Sequence, residues 1–272
     1  MNPTTTYPFL SMPSDPKSPR CFALLPLTHK AFAELVVDID HPVSRWSPDS
    51  VEEYLGYTLR LIELFNSVSS SLSRIGQSRL SLSYGLIKFK KSSSPSHHHH
   101  LKGIEIGAGR LKLSPNFGPG EEKSRVSHGK ERVIQEAIGE LKMIGFWVCG
   151  VVLSALSNGD DAKALLELRK AMASGVYSSI DAKISEKMIV LKEVKEINDA
   201  VGDLLVVKSS DSDSDAVKAE AAMEVEKKVN GFQKMLDDLS KEVDGVFSKV
   251  MTQRNELVDC FRFRKQPHKS VV

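Results

Sequence analysis

Three cysteines in 272 residues, at positions 21, 149 and 260, are too few and too scattered to staple a fold. None forms a C-x-x-C pair, so a disulfide framework has no basis and a reducing compartment fits better. Charge of one sign is equally scarce. The 37 Lys and Arg against 35 Asp and Glu leave a net +2, far from the basic excess by which a general nucleic-acid binder is recognised. Also missing are a phosphate-binding Walker loop, a G-x-S-x-G elbow and an H-E-x-x-H zinc helix. "GIEIGAGRLKL" comes nearest to a dinucleotide fingerprint. Lys112 occupies the place of its third glycine, and no β-α-β pattern surrounds it. The run His97 to His100 lies in a Ser/Pro-rich stretch with no second shell to orient it, and reads as a low-complexity insertion. His29, His41, His128 and His268 are scattered, without a cysteine or carboxylate at ligand spacing. Glu136, Glu140 and Glu193 sit beside lysines, as solvated helix faces do. No catalytic residue, cofactor or metal is therefore expected, and no nucleic-acid partner.

Helical periodicity is what the sequence has in quantity. A short segment, "HKAFAELVVDI", precedes the connection "DHPVSRWSPDS". In that connection Ser47 followed by Pro48 predicts an N-cap with proline at the first helical position, where a missing N–H costs nothing. A long helix should then run toward Ile87. Val51, Leu55, Ile62, Phe65 and Leu72 form one apolar row, and Tyr54, Leu61, Val68 and Ile75 a neighbouring row at heptad intervals. Residues 88–129 mix Ser, Gly, Pro, Lys and His without period and predict a long disordered loop. A further helical region covers 160 to about 207, interrupted near Gly175. The last helix has the clearest pattern: Val225, Val229, Phe232, Leu236, Leu239, Val243, Val246 and Val250 step by four and three. Such a seam is expected to pack inside its own chain, with intermolecular zipping as the alternative.

The most apolar stretch is "LKMIGFWVCGVVLSALSNGD", Leu141 to Asp160. Its seventeen uncharged residues, Met143 to Gly159, span about 25 Å as a helix, short of the ~30 Å hydrocarbon core. Ile134, Ile138, Leu141, Val148, Val152 and Ala155 continue one stripe through the charged part before it. A helix that starts amphipathic and turns apolar all round suits the centre of a bundle. A membrane anchor is the alternative.

Two charged segments stand apart. "SSDSDSD" reads as an acidic linker whose end caps the last helix; the sharper alternative is phosphorylation at Ser210, Ser212 and Ser214. The tail "FRFRKQPHK" is basic and carries Phe261 and Phe263, leaving peripheral lipid contact open. The Ser/Thr/Pro-rich N-terminus has only Asp15 as an acid before Glu34. It reads as a flexible leader, with plastid targeting as the alternative.

Three stretches together resemble the plant BYPASS family. "DHPVSRWSPDSVEEYLGYTLRLIELFN" carries a Pro-Val-Ser-x-Trp motif as Pro42, Val43, Ser44 and Trp46, followed by Tyr54 and Leu55. "RVIQEAIGELKMIGFWVCGVVLSAL" resembles the family's apolar mid-chain helix. "LSKEVDGVFSKVMTQRNELVDCFR" is similar to its C-terminal signature, best at Ser240, Lys241, Glu242, Val243 and Asp244. The resemblance implies a helical plant protein without catalytic residues. Such proteins restrain a root-derived, carotenoid-linked mobile signal that arrests root and shoot growth. Related ROH-type proteins imply a link to the exocyst and secretion.

The expected architecture is all-α: an antiparallel bundle of four to five long helices. Residues 1–26 form the leader, 27–262 a single domain with the 88–129 insertion and the 208–214 linker, and 263–272 the basic tail. The expected role is a cytoplasmic, non-enzymatic adaptor that contacts other proteins, exocyst or signalling components among them. Its motif residues mark the contact region. Trp46 is expected to serve as a staple over the bundle end.

Overall fold

The computed structural model describes residues 20–91, 101–106, 129–157, 163, 165–167, 169–170, 181, 189–209 and 215–264. Five α-helices dominate them: α1 (Leu24–Asp38), α2 (Pro48–Lys91), α3 (Lys130–Ala155), α4 (Ile189–Ser209) and α5 (Asp215–Arg264). No strand occurs among the described residues, so the all-α expectation holds.

α2 is the spine. Its 44 residues make it about 66 Å long at 1.5 Å per residue. Its start is as the Ser-Pro pair predicts: Ser47 Oγ accepts the Ser50 N–H at 3.2 Å, and Pro48 is the first helical residue. The row Tyr54, Leu61, Val68 and Ile75 is buried along its whole length, while Val51, Leu55 and Ile62 flank it half-buried. α5 lies antiparallel along this face, with Phe65 against Phe247, Arg79 against Gln233, and Lys90 paired with Glu226. All eight residues of the α5 seam are buried, so the seam closes inside its own chain.

α1 and the turn before it are also antiparallel to α2: Phe22, His29 and Phe32 meet Phe65, Tyr57 and Tyr54 in turn. α3, by contrast, starts at the same end as α2 and crosses it, Glu131 reaching Ser50 and Gly145 reaching Tyr57. Every residue from Gly145 to Ser154 is buried, the central-helix arrangement its sequence predicts. α3 is also the helix among the described residues long and apolar enough to cross a membrane. Its best window has mean hydropathy 1.5, and 67% of that window is covered by the bundle.

Four boundaries differ from the sequence reading. The leader ends earlier, because Phe22 and Leu25 are fully buried and a 3-10 turn, Arg20–Ala23, leads into α1. The predicted 88–129 loop is helical through Lys91, and residues 101–106 pack on the bundle with Leu101, Ile104 and Ile106 buried. The reason is a side chain acting as a strand partner. Asn198 of α4 accepts the Ile104 N–H at 2.7 Å and donates to its carbonyl at 3.0 Å. A Cβ on Gly103 would stand 2.6 Å from Asn198 Oδ1, which explains the glycine there. Helix α4 runs through Ser209 and α5 through Arg264, so each helix takes in two residues that were expected in the linker and the tail. Ser210, Ser212, Ser214, the His97–His100 run and the tail beyond Arg264 lie outside the described residues.

Asn198→Ala should cost about 1–3 kcal/mol, because two part-buried backbone groups lose their partner. Chemical denaturation reads this directly. A loss below a few tenths would mean that residues 101–106 hold without the amide.

Candidate functional site

The motif residues nearest the N-terminus gather at one end of the bundle. α1 ends at Asp38, and two residues on Asp40 takes φ +47°, a left-handed conformation that aspartate tolerates better than most residues. The chain then turns through the 3-10 segment Val43–Arg45. Trp46 closes the turn with 4% exposure. Its indole Nε1 donates to the His41 carbonyl at 3.0 Å, and its ring meets Phe32 and Tyr54 edge-on. Trp46 is therefore a packed staple; Pro42, Ser44 and Arg45 are the exposed members of the turn.

Glu131, in the first turn of α3, clamps this turn from across the bundle. Its Oε1 accepts the Ser47 N–H at 3.0 Å and the Ser50 hydroxyl at 2.5 Å; its Oε2 accepts from His41 Nε2 at 2.8 Å. Lys130 adds a bond to the Asp40 carbonyl at 3.1 Å. Desolvation would raise the Glu131 pKa. Hydrogen bonds from Ser47, Ser50 and His41 outweigh it and lower the value to about 2. Sequence reasoning found the Ser47 cap and missed the clamp. The available signal was an acid in the first turn of α3, where the helix dipole favours negative charge.

A second polar group lies deeper. His29 and Tyr57, both buried, share a 3.0 Å hydrogen bond. Burial lowers the His29 pKa to about 4, against a raising contribution from Gln253, and pushes the Tyr57 hydroxyl well above its ordinary value. Beyond α3, Arg169 Nε stands 2.6 Å from Asp181 Oδ1 in a buried ion pair. The same oxygen accepts from Trp147 Nε1 at 2.8 Å, and Arg169 Nη1 donates to Ser154 Oγ at 2.8 Å. These groups tie helices together.

The C-terminal motif is not brought to this end. Val243 is buried in the α5 seam, and Lys241 and Asp244 are exposed. Ser240 and Asp244 line an open groove of about 420 Å³ between α2 and α5, beside Ser69, Ser73 and Gly76. The two motif clusters thus serve different places: a bundle-end turn and a lateral groove. Tyr54 is buried beneath Trp46, and Leu55 and Glu242 are half-buried.

Acid should unfold the protein in two windows. His29 stays neutral in the fold to about pH 4, but its unfolded form binds a proton near 6.5, so stability falls between those values. Glu131 acts in the adjoining window. Its stability contribution is complete above about 4.5 and is lost as pH falls toward 2. The combined loss for Glu131 is of order 2–3 kcal/mol. Melting temperature against pH should lose its lower step in Glu131→Gln and keep the upper one. An unchanged profile would contradict the clamp.

Fold and site together define an all-helical bundle whose buried polar groups bridge its elements. The comparisons with known proteins agree on a plant group. Protein BPS1, chloroplastic, from Arabidopsis thaliana is 24% identical over an alignment of 260 residues that covers 86% of this chain and 72% of BPS1. UPF0496 protein 4 from Oryza sativa subsp. indica is 25% identical over 67% of this chain, and that from subsp. japonica 24% over 79%. The chain spans about half the length of the rice proteins, 46% and 52%. The chain is a distant relative of these BPS and UPF0496 proteins, in agreement with the resemblance carried by its motifs. No family model matches the sequence. No solved structure matches it either.

Proposed function

We propose that this chain is a non-enzymatic regulator of the BYPASS type, acting as a cytoplasmic adaptor through contacts with other proteins. In this reading it restrains a root-derived, carotenoid-linked growth-arrest signal in root and shoot development. The supporting observation is the division of its surface. The polar groups inside the bundle tie helices together, while the motif residues that reach solvent, among them Pro42, Ser44 and Asp244, sit on a turn and a groove edge. The distant relationship to BPS1 supports the developmental role.

The test is a plant lacking this chain. Expected are arrested roots and shoots, relief when carotenoid synthesis is blocked, and rescue by the wild-type sequence. Normal growth in such plants would reject the developmental role. A second reading, a membrane-associated accessory of secretion, has the length and hydropathy of α3 in its favour. Alkaline carbonate extraction separates the two: the adaptor washes into the supernatant, and an anchored protein stays with the pellet.

A further inference from the structure

Two antiparallel helices in register leave a furrow between them wherever the facing side chains are small. α2 presents Ser69, Ser73 and Gly76 on one side, stepping by four and three, and α5 presents Gln233, Asp237, Ser240 and Asp244 with the same steps. Leu72 and Leu236, both buried, make its floor. A Cβ added at Gly76 would meet nothing within 4 Å, so the furrow there is open space.

Toward the C-terminal end of α2 the furrow becomes apolar. Leu80 is 58% exposed, Tyr84 57% and Ile87 50%. Leu80, Tyr84 and Ile87 recur at helical spacing on the side of α2 that carries Ser73 and Gly76. From Ser69 to Ile87 the face is about 27 Å long, room for about five turns of a partner helix.

Charge decides the occupant. Asp237 and Asp244 are exposed at one end and form no ion pair among the described residues. The single cation lining the groove, Arg79, already donates to Gln233 at 3.0 Å. At the opposite end stand Lys91, exposed, and Lys88, its ammonium 4.7 Å from the Tyr84 ring centre. An anionic lipid surface would meet Asp237 and Asp244 with like charge.

We infer that the α2–α5 groove docks an amphipathic helix of a partner protein. The partner's apolar side covers Leu80, Tyr84 and Ile87, and its Lys or Arg side chains meet Asp237 and Asp244. This rests on the adaptor reading and adds to it a surface and a class of partner.

Two fluorescent amphipathic peptides of about 18 residues test it against the full-length chain. Both carry the same leucine stripe; one has lysines in its first turns and the other glutamates there. Anisotropy titration should give saturable binding of the lysine peptide and at least about tenfold weaker binding of the glutamate peptide. Gly76→Leu fills the furrow and should abolish binding. Asp237→Lys with Asp244→Lys, both on exposed positions, should reverse the preference. Circular dichroism checks that each variant keeps its helix content. Equal binding of both peptides, unchanged binding by Gly76→Leu, or sedimentation with phosphatidylserine vesicles lost on Leu80→Ser in place of peptide binding would each overturn the groove. Crosslinking in plant cells keeps the two ideas apart. Partners captured equally by wild type and Gly76→Leu reject the groove and leave the adaptor role standing, whereas no captured partner rejects both.

Discussion

Asp181→Ala destabilises the protein by about 3–5 kcal/mol, the cost of removing one member of a buried ion pair. Arg169, 1% exposed, keeps its charge and loses the carboxylate 2.6 Å away, and Trp147 loses the acceptor of its indole N–H. The location amplifies the effect. Trp147 and Ser154 belong to the all-apolar part of α3, so Arg169 and Asp181 cover the segment with the most apolar surface to expose. The double variant Arg169→Met with Asp181→Leu removes both charges and keeps the volume, and should recover to within about 1–2 kcal/mol of wild type. Urea unfolding of the three proteins measures this. A single variant losing less than about 1 kcal/mol, or a double variant no better than the single, would show that the charges are not coupled through the core.

That arrangement shows which parts of the molecule are legible in a sequence. Periodicity is local, and the α5 seam from Val225 to Val250 is buried at all eight positions because each step of three or four keeps the same face inward. The Ser47–Pro48 start of α2 is local too: cap and helix lie within four residues. Glu131 is different. It sits 84 residues from Ser47 and 90 from His41, and no spacing rule links an acid at the start of one helix to the start of another. The same holds for Asn198, 94 residues from Ile104. The loop reading of 101–106 failed for that reason: Leu101, Ile104 and Ile106, without a regular period in a Ser- and Gly-rich context, look unpaired until an amide on α4 supplies the missing backbone bonds. The motif residues were legible as a set, but their division between the Trp46 turn and the groove required the antiparallel register of α2 and α5.

Gly145→Ala tests how closely α2 and α3 are fitted. The added Cβ would lie 2.7 Å from Tyr57 Oη, 3.0 Å from Cε2 and 3.2 Å from Cζ. A flexible side chain would swing away, but Tyr57 is a rigid ring at 2% exposure. It is stacked on His29, tilted against Phe146, and hydrogen-bonded through its hydroxyl to His29 Nε2. The helices must therefore separate by a few tenths of an ångström, at a cost of about 1–3 kcal/mol. Tyr57→Phe alone should cost about 1 kcal/mol, since it leaves His29 without the hydroxyl. Combined, the two substitutions should cost less than their sum by at least about 0.5 kcal/mol, because the phenylalanine lacks the atom closest to the new methyl group. Additive losses in a thermal or urea double-mutant cycle would mean that the strain is taken up elsewhere. The same glycine explains why the mid-chain stretch fits a bundle: close approach to Tyr57 requires a neighbouring helix that lipid would not supply.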